Sequence, residues 1–266
     1  MTPGYRALRE GKAWLDLSNR GRIIARGRDR SRLLHNITSN EVKTMTPGTG
    51  SYSFLLSPQG RIQADLNLFC FEDHFLIDTE PELREKVRVH IRKYIIADQV
   101  ELEDITESTA CIGIEGPAAV APGDPYSHAL WDIGTAARVT ITGQPGLRIF
   151  CTAEEKPEVI TKLEAAGAIA ATMDDARIVR IENGRPRYGE EITETSLPQE
   201  TQQMHAVSFT KGCYLGQEIV ERIRARGHVN RKLERFEGDP PAGAEVVSSV
   251  VSPATGKTVG MAWVRT

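Results

Sequence analysis

Apolar and polar residues alternate along the first hundred positions in a pattern that predicts an antiparallel sheet backed by helices. Residues 22–26 (RIIAR) predict a strand, and SYSFLLSPQGRIQADLNLFCFEDHFLIDTE predicts three more, with turns at SPQG and ED. A helix with Asp29 as its N-cap and a leucine-rich face is expected after the first strand. A proline at an early position and an apolar stripe predict a second helix, from Pro81 to about Ala97.

A second unit of the same kind is predicted further along the chain. Residues 130–143 and 146–152 have the pattern of strands, and EEKPEVITKLEAAG predicts a helix that ends at Gly167. FLIDTEPELREKV and RIFCTAEEKPEVI each run from a short strand ending in threonine (Thr79, Thr152) through an acidic, proline-bearing turn into an amphipathic helix. Strand–turn–helix segments are common, so chance is an alternative. The repeat nevertheless favours two related α+β units.

The last third of the chain has a different pattern. A short helix is expected over 174–184, followed by little periodicity over 185–208, which is typical of a functional loop or a crossover. GQEIVERIRARG predicts a helix that ends at Gly227. After His228, proline and glycine punctuate short strands, which predicts a separate small β element.

Composition excludes several classes of protein. The 266 residues suit two domains, or three small ones, and a net charge of −3 gives no general attraction to nucleic acid or membranes. The N-terminus lacks an apolar signal core and no apolar run approaches the length of a membrane span, so a cytoplasmic protein is expected. The histidines show no HxH or HExxH spacing and the cysteines no CxxC pair, so no metal site is predicted.

The string KGCYLGQE (211–218) is the densest cluster of chemically special residues. Cys70, Cys111 and Cys151 are interpreted as buried structural cysteines, whereas Cys213 lies just before a predicted helix. Helix N-termini stabilise thiolates, Lys211 adds a cation nearby, and the two glycines of the string permit close backbone approach to a ligand. The cluster predicts a reactive thiol or a ligand-lined turn; a buried cysteine in a glycine-assisted turn is the alternative.

A basic run follows this string, and it consists of Arg222, Arg224, Arg226, Arg231, Lys232 and Arg235. It could bind polyanions such as phosphates or polyglutamate chains, or it could be a solvated helix face and linker. Because no aromatic residues are interleaved with it, nucleic-acid binding is not expected.

Two carboxylates stand at unusual positions. Asp65 alternates with apolar residues on a predicted strand, and Glu182 ends a predicted helix, where the helix dipole disfavours an acid. Surface charges or salt bridges are the simplest explanation of both. If both face one pocket, they suit a ligand with adjacent N–H donors, because a carboxylate can accept two parallel hydrogen bonds.

Taken with its flanks, the string resembles the YgfZ family of folate-binding proteins, which are relatives of the glycine-cleavage T protein, an aminomethyltransferase. RIENGRPRYGEEI precedes it and IVERIRARGHVNRKL follows it, while LLHNITSNEV, PGTGSYSFLLSPQGRIQADL and HFLIDTE extend the match towards the front. The resemblance therefore covers most of the chain, from about residue 10 to residue 260.

The resemblance implies an α+β fold: two ferredoxin-like antiparallel-sheet domains in a cloverleaf around a folate pocket, with a short C-terminal β-barrel-like domain. On this basis we expect a folate-binding region over residues 1–228, its second lobe at roughly 45–108, and a small C-terminal β domain over 229–266. The chain stops at AWVRT, before the further strands of the family barrel, so this domain is expected to be short or incomplete.

The resemblance also assigns roles to residues. Asp65 would face the reactive nitrogens of folate, and Glu182 would bind the pterin ring. Asp78, Tyr188 and Arg222 lie in stretches that resemble pocket-lining ones. The motif that separates YgfZ proteins from the T protein consists of Lys211, Gly212, Cys213, Tyr214, Gly216, Gln217 and Glu218.

The implied function is tetrahydrofolate binding in the assembly or repair of iron–sulfur enzymes, with an indirect effect on tRNA modification. The alternative is a tetrahydrofolate-dependent aminomethyltransferase of the glycine cleavage type, in which Asp65 assists attack on an aminomethyl group. A third option is a scaffold that uses the basic run. The expected ligand is tetrahydrofolate or a one-carbon-substituted folate, and the expected partners are iron–sulfur client or assembly proteins. We expect a monomer that contacts neither nucleic acid nor membrane.

Overall fold

The computed structural model of the chain describes residues 1–120 and 123–266, which form two compact units. The first unit comprises residues 1–19, 107–186 and 234–264; the second comprises 20–106, 187–233 and 265–266. Each unit is therefore built from separated stretches of chain. The domains expected above are continuous segments of the chain, and their boundaries remain predictions.

The α-helices of the described residues are α1 (Pro3–Glu10), α2 (Arg30–Ile37), α3 (Arg84–Lys93), α4 (Lys156–Ala165), α5 (Met173–Glu182) and α6 (Gln217–Arg226). Short 3₁₀ helices lie at Pro81–Leu83 and Met204–Ala206.

The strands of the described residues are β1 (Ala13–Asp16), β2 (Gly21–Arg26), β3 (Gly50–Leu56), β4 (Ile62–Cys70), β5 (His74–Thr79), β6 (Glu101–Asp104), β7 (Thr109–Glu115), β8 (His128–Leu130), β9 (Thr135–Ala137), β10 (Gly146–Thr152), β11 (Ile169–Ala170), β12 (Arg231–Glu237), β13 (Glu245–Val251) and β14 (Thr258–Arg265).

The second unit contains an antiparallel sheet in the order β3-β4-β5-β2-β6. The strands predicted over residues 22–26 and 51–80 are confirmed, and so is the helix after Asp29. The helix predicted from Pro81 to Ala97 is partly wrong, since a 3₁₀ turn precedes α3 and α3 ends at Lys93. Ile95, the last residue of the predicted apolar stripe, lies beyond α3 and is only half-buried.

The first unit contains the sheet β11-β1-β7-β10-β9-β8, which is antiparallel except for the parallel pair β1 and β11. The single strand predicted over 130–143 is wrong, because β8 and β9 form a short hairpin instead. The chain turns at Gly134, whose φ is +80° and whose missing side chain leaves room for the Phe150 carbonyl. The strand at 146–152 and the helices before Gly167 and near 174–184 are confirmed.

The third sheet has the order β12-β14-β13 and lies in the predicted late β element. The β-barrel-like domain expected here is not found in the described part of the chain, because β12 and β13 each have one neighbour and the sheet stays open. The α+β class with antiparallel sheets is confirmed. Among the helices that the structure describes, none is long and apolar enough to cross a membrane.

Candidate functional site

Strand register in the second unit aligns three charged residues across neighbouring strands. Asn67 pairs with Asp78 between β4 and β5, so continuing the ladder by two residues places Asp65 opposite Glu80. Gly21 pairs with Thr79 between β2 and β5, so Arg20 lies opposite the same glutamate. A polar row thus runs Asp65–Glu80–Arg20 along one face of the sheet, since alternate residues of a strand share a face.

Asp65 is buried, with only 8% of its surface exposed. Its Oδ2 accepts a hydrogen bond from the Tyr52 hydroxyl at 2.9 Å, and Thr79 Oγ1 donates to its main-chain oxygen at 2.9 Å. Its Oδ1 is also buried and has no hydrogen-bond partner among the described residues. Burial, followed by the negative charge of Glu80, raises the pKa of Asp65 to about 6. The simplest explanation of this residue as a surface charge is therefore wrong, and Oδ1 can meet a ligand donor.

Arg20 holds the neighbouring carboxylates in place. Its guanidinium binds Asp78 through two parallel hydrogen bonds, Nε to Oδ1 at 3.0 Å and Nη2 to Oδ2 at 2.9 Å. Its Nη1 donates to Glu80, and Asn67 Nδ2 also donates to Asp78 at 2.7 Å. Asp78 has no exposed side-chain surface, so its visible role is to fix Arg20. Its predicted contact with folate stays a prediction.

Tyr188 is buried in the second unit beside a lysine. Lys86 Nζ lies 3.3 Å from its hydroxyl and 5.7 Å from the centre of its ring. Burial raises the pKa of Tyr188, and the charge of Asp65 contributes in the same direction. Two of the predicted pocket residues, Tyr188 and Asp65, are therefore near enough to interact electrostatically.

Lys211 in KGCYLGQE is buried, and its ammonium group forms hydrogen bonds within the fold. Its ammonium donates to the main-chain oxygens of His35, Thr38 and Asn40 at 2.5, 2.7 and 2.8 Å, so it caps the C-terminal end of α2. Burial lowers the pKa of Lys211 to about 8. The expectation that Lys211 serves Cys213 as a neighbouring cation is not supported, because all three ammonium protons point at carbonyls.

Cys213 is exposed, whereas Cys70, Cys111 and Cys151 are buried, as the strand pattern predicts. The alternative of a buried cysteine in a glycine-assisted turn is therefore wrong. Helix α6 begins at Gln217, after Gly216 adopts φ +83° against the Ser57 carbonyl. A turn that requires glycine therefore separates the exposed thiol from the start of α6.

The other motif residues have separate roles. Tyr214 is buried under the Lys211 ammonium, which lies 5.0 Å from its ring centre, and burial raises the pKa of Tyr214 to about 12. Gly212 is exposed, and a methyl group there would meet no atom within 4 Å. Glu218 forms a 2.5 Å ion pair with Arg222 on the exposed face of α6.

Three cations of the basic run have local partners. Arg224 stacks on Phe209 at 4.3 Å, Arg231 pairs with Glu200, and Arg235 donates to the main-chain oxygen of Glu182 at 2.7 Å. These cations already interact with groups of the same chain. The option of a scaffold that binds an acidic partner through the basic run is therefore weakened.

Glu182 belongs to the first unit, where it is the last residue of α5. Only 8% of its surface is exposed. The Tyr5 hydroxyl donates to Oε1 at 2.6 Å, and Arg9 Nη1 lies 3.6 Å from Oε2. Oε2 has no hydrogen-bond partner among the described residues. Glu182 is therefore a buried acceptor with one oxygen that no described residue hydrogen-bonds. The surface-charge explanation is wrong for it, whereas the salt-bridge explanation is met by Arg9.

Sequence reasoning missed Tyr5, Tyr52, Arg20 and Glu80. Tyr52 alternates with Phe54 on a predicted strand, which places it on the face of Asp65 only once the pairing of β3 with β4 is known. Arg20 and Glu80 lie one residue outside their strands, where no periodicity is visible.

The described fold is that of a glycine-cleavage aminomethyltransferase T. The crystal structure of that protein from Bartonella henselae superimposes with a TM-score of 0.85 at 17% identity, covering 98% of this chain and 80% of that one. At this identity the likeness concerns the fold alone.

Sequence comparison points to the same group of proteins. Residues 2–122 match the family model described as the GCVT N-terminal domain. An aminomethyltransferase of Rubrobacter xylanophilus is 28% identical over 98% of this chain and 78% of its own length. One from Thermus thermophilus is 27% identical over 97% and 81%, and a putative chloroplastic transferase of Arabidopsis thaliana is 26% identical over 85% and 56%.

These likenesses relate the chain to the GCVT-domain family and to aminomethyltransferases, and they do not bear specifically on the YgfZ branch. They favour the transferase alternative over the role in iron–sulfur repair.

Proposed function

We propose that this chain binds tetrahydrofolate and transfers a one-carbon unit to it, in the manner of an aminomethyltransferase. The observation that supports this most directly is Asp65, a buried carboxylate whose pKa is raised to about 6 and whose Oδ1 has no hydrogen-bond partner among the described residues. Such a group can accept an N–H hydrogen bond and exchange a proton near neutral pH. The names of the sequence relatives agree with a transfer reaction.

The residues present fit a folate. Glu182 Oε2 is a second buried acceptor without a hydrogen-bond partner in the described chain, and the proposal assigns it to the pterin ring. Asp65 is assigned to the reactive nitrogens, and Tyr188 and Arg222 to the lining of the pocket. Bound tetrahydrofolate would supply the nucleophilic nitrogens that receive the one-carbon unit.

The residues of the chain would contribute orientation and proton handling. The Tyr52 hydroxyl fixes one oxygen of Asp65, so the other points in a set direction. Burial keeps water from Oδ1 and lets Asp65 take up or release a proton where charge develops. The cloverleaf arrangement expected from the resemblance is part of this proposal.

Reconstitution of glycine cleavage tests the proposal. We expect turnover when the protein is supplied with an aminomethylated lipoyl carrier protein and tetrahydrofolate, and loss of that turnover in Asp65→Asn. Calorimetry should detect tetrahydrofolate binding to the wild type. Binding without turnover on the carrier would rule out this transfer, and absence of binding would rule out the folate proposal altogether.

Cys213 favours a second candidate, a folate-dependent role in the assembly or repair of iron–sulfur enzymes. Its thiol is exposed on a segment that Lys211 pins through three main-chain hydrogen bonds, which suits contact with a client protein. A complementation assay in cells that lack the protein tests it: Cys213→Ser should lose iron–sulfur enzyme activity, whereas Gly212→Ala, with open space around the new methyl group, should keep it. A fully active Cys213→Ser variant would remove the thiol from this function.

A further inference from the structure

Glu80 is an ionisable group that the proposed reaction does not use. It lies directly after β5, opposite both Asp65 and Arg20 in the ladder registers described above. Its side chain is 13% exposed, so its charge is screened weakly by solvent.

Two arginines clamp this glutamate from opposite sides. Arg20 Nη1 donates to Oε1, and Arg187 Nε donates to Oε2 at 2.9 Å. Arg187 reaches further, to the more exposed Glu82. Burial favours the protonated form of Glu80, but the Arg20 and Arg187 cations outweigh it and lower the pKa of Glu80. Glu80 is therefore ionised at neutral pH.

We propose that Glu80, held by Arg20 and Arg187, is the positioning residue that governs proton binding by Asp65. The inference rests on the proposed function in one respect: Asp65 is taken as the acid that serves the folate nitrogens. Burial is the largest cause that favours the protonated form of Asp65, and the charge of Glu80 adds to it.

The groups around Asp65 act in opposite directions. The Tyr52 hydroxyl on β3 and the charge of Arg20 favour the carboxylate, while burial and the charge of Glu80 favour the protonated acid. Tyr188 also lies within electrostatic reach. Of these groups, Glu80 is the anion that opposes ionisation of Asp65, and its charge is fixed by a geometry independent of any ligand.

Asp78 is the other anion on this face of the sheet. It accepts hydrogen bonds from Arg20 and Asn67. Lys86, the cation near Tyr188, divides its ammonium between the Tyr188 hydroxyl and Glu194.

Carbon-13 NMR of aspartate carboxyls in the full, folate-free chain tests the inference, with the Asp65 signal assigned by its loss in Asp65→Asn. In Glu80→Gln the titration midpoint of Asp65 should fall by about 1 pH unit, because an adjacent like charge is removed. Arg187→Gln should move the midpoint in the opposite direction, because Glu80 is then less compensated. Glu82→Gln, at the exposed end of the same arginine, is the matched control and should leave the midpoint nearly unchanged.

Opposite shifts in Glu80→Gln and Arg187→Gln would support the inference. An unmoved midpoint in a folded Glu80→Gln, checked by circular dichroism, would overturn it. If Glu80→Gln does not fold, a midpoint that fails to rise in Arg187→Gln would overturn it as well. These titrations contain no folate, so failure of tetrahydrofolate binding in calorimetry contradicts the proposed function and leaves this inference standing.

Discussion

Asp65 in the second unit and Glu182 in the first share one local arrangement and differ in the charges around it. Each is a buried carboxylate with one oxygen bound to a tyrosine hydroxyl, from Tyr52 at 2.9 Å and from Tyr5 at 2.6 Å. In each, the other oxygen lacks a hydrogen-bond partner within the described residues.

The two carboxylates differ in the charged residues around them. Asp65 has the anion Glu80 acting on it, which adds to burial in favouring the protonated acid. Glu182 has the cation of Arg9 at 3.6 Å, with which it forms an ion pair. The same tyrosine–carboxylate pair can therefore serve proton exchange in one unit and fixed acceptance of N–H donors in the other.

The largest effects are expected when each acid is replaced, because the two acids have different proposed roles. Glu182→Ala should weaken tetrahydrofolate binding by about 100-fold or more, because charge-assisted hydrogen bonds to N–H donors are lost. Asp65→Asn should leave the dissociation constant within about fivefold but lower turnover by about 10²-fold or more, because the proton acceptor is lost. Calorimetry and reconstituted turnover measure the two effects.

Glu164→Ala serves as the control for this pair, since Glu164 is an exposed glutamate on α4 in the first unit. It should change neither binding nor turnover. Equal losses of binding in Glu182→Ala and Asp65→Asn would show that the two acids do the same work.

The pH dependence of stability is the next test. The pKa of Asp65 rises from an ordinary 3.8 to about 6 on folding, so between these values the folded chain binds more protons than the unfolded chain. Stability therefore falls as pH rises through this window, and the whole cost, about 3 kcal/mol, is present above pH 6.

Asp65→Asn should remove that cost. Its free energy of unfolding in urea, relative to wild type, should be higher at pH 7.5 than at pH 4.5, with the change concentrated where Asp65 titrates. Glu182→Gln should instead lose stability at pH 7.5, since Arg9 then faces a neutral amide. If the difference in free energy of unfolding between Asp65→Asn and wild type did not change with pH, the surroundings of Asp65 would not raise its pKa.

The sequence predicted many of the strands and helices because their apolar runs are bounded by turn residues, as at SPQG and ED. It gave a single strand over 130–143 because apolar residues continue through a turn that depends on Gly134, which packs against the Phe150 carbonyl. Such a turn is set by a tertiary contact, which leaves no periodic signal.

The site was only partly predictable for a similar reason. Asp65 and Glu182 stood out because a charge in an apolar strand or at a helix C-terminus is locally unfavourable. Their tyrosine partners lie 13 and 177 positions away, so strand register and tertiary packing were needed to find them. The sequence predicts Lys211 as a cation beside the thiol, but proximity in sequence does not show where a long side chain points.

Replacing each tyrosine by phenylalanine removes one hydrogen bond from each carboxylate and is expected to have a smaller effect. Tyr5→Phe should destabilise the protein by about 2 kcal/mol, because a buried hydrogen bond to an anion is lost. Tyr52→Phe should cost about 1 kcal/mol, since its bond to Asp65 at 2.9 Å is longer than the 2.6 Å bond from Tyr5 to Glu182. It should also raise the pKa of Asp65 further by removing a bond that favours the carboxylate.

Urea unfolding at pH 7.5 measures both costs, and the carboxyl NMR titration measures the pKa. Phe54→Leu, a buried neighbour on the same strand as Tyr52, controls for loss of aromatic packing and should not raise the pKa of Asp65. If Tyr52→Phe cost more than Tyr5→Phe, the stronger bond would be the one to Asp65, and the roles given to Asp65 and Glu182 would be reversed.

The smallest effect is expected at Arg9, the residue that distinguishes the surroundings of Glu182. Its side chain is 34% exposed and its contact with Oε2 is long, so solvent and salt screen the pair. Arg9→Gln should therefore lower the free energy of unfolding by about 0–1 kcal/mol, and the loss should shrink further as sodium chloride is added. Arg6→Gln, on the same short helix, provides the matched control for removing a helix cation. A loss of more than about 2 kcal/mol that resists salt would show a pair that behaves as buried, and Glu182 would then depend on Arg9 as strongly as Asp78 depends on Arg20.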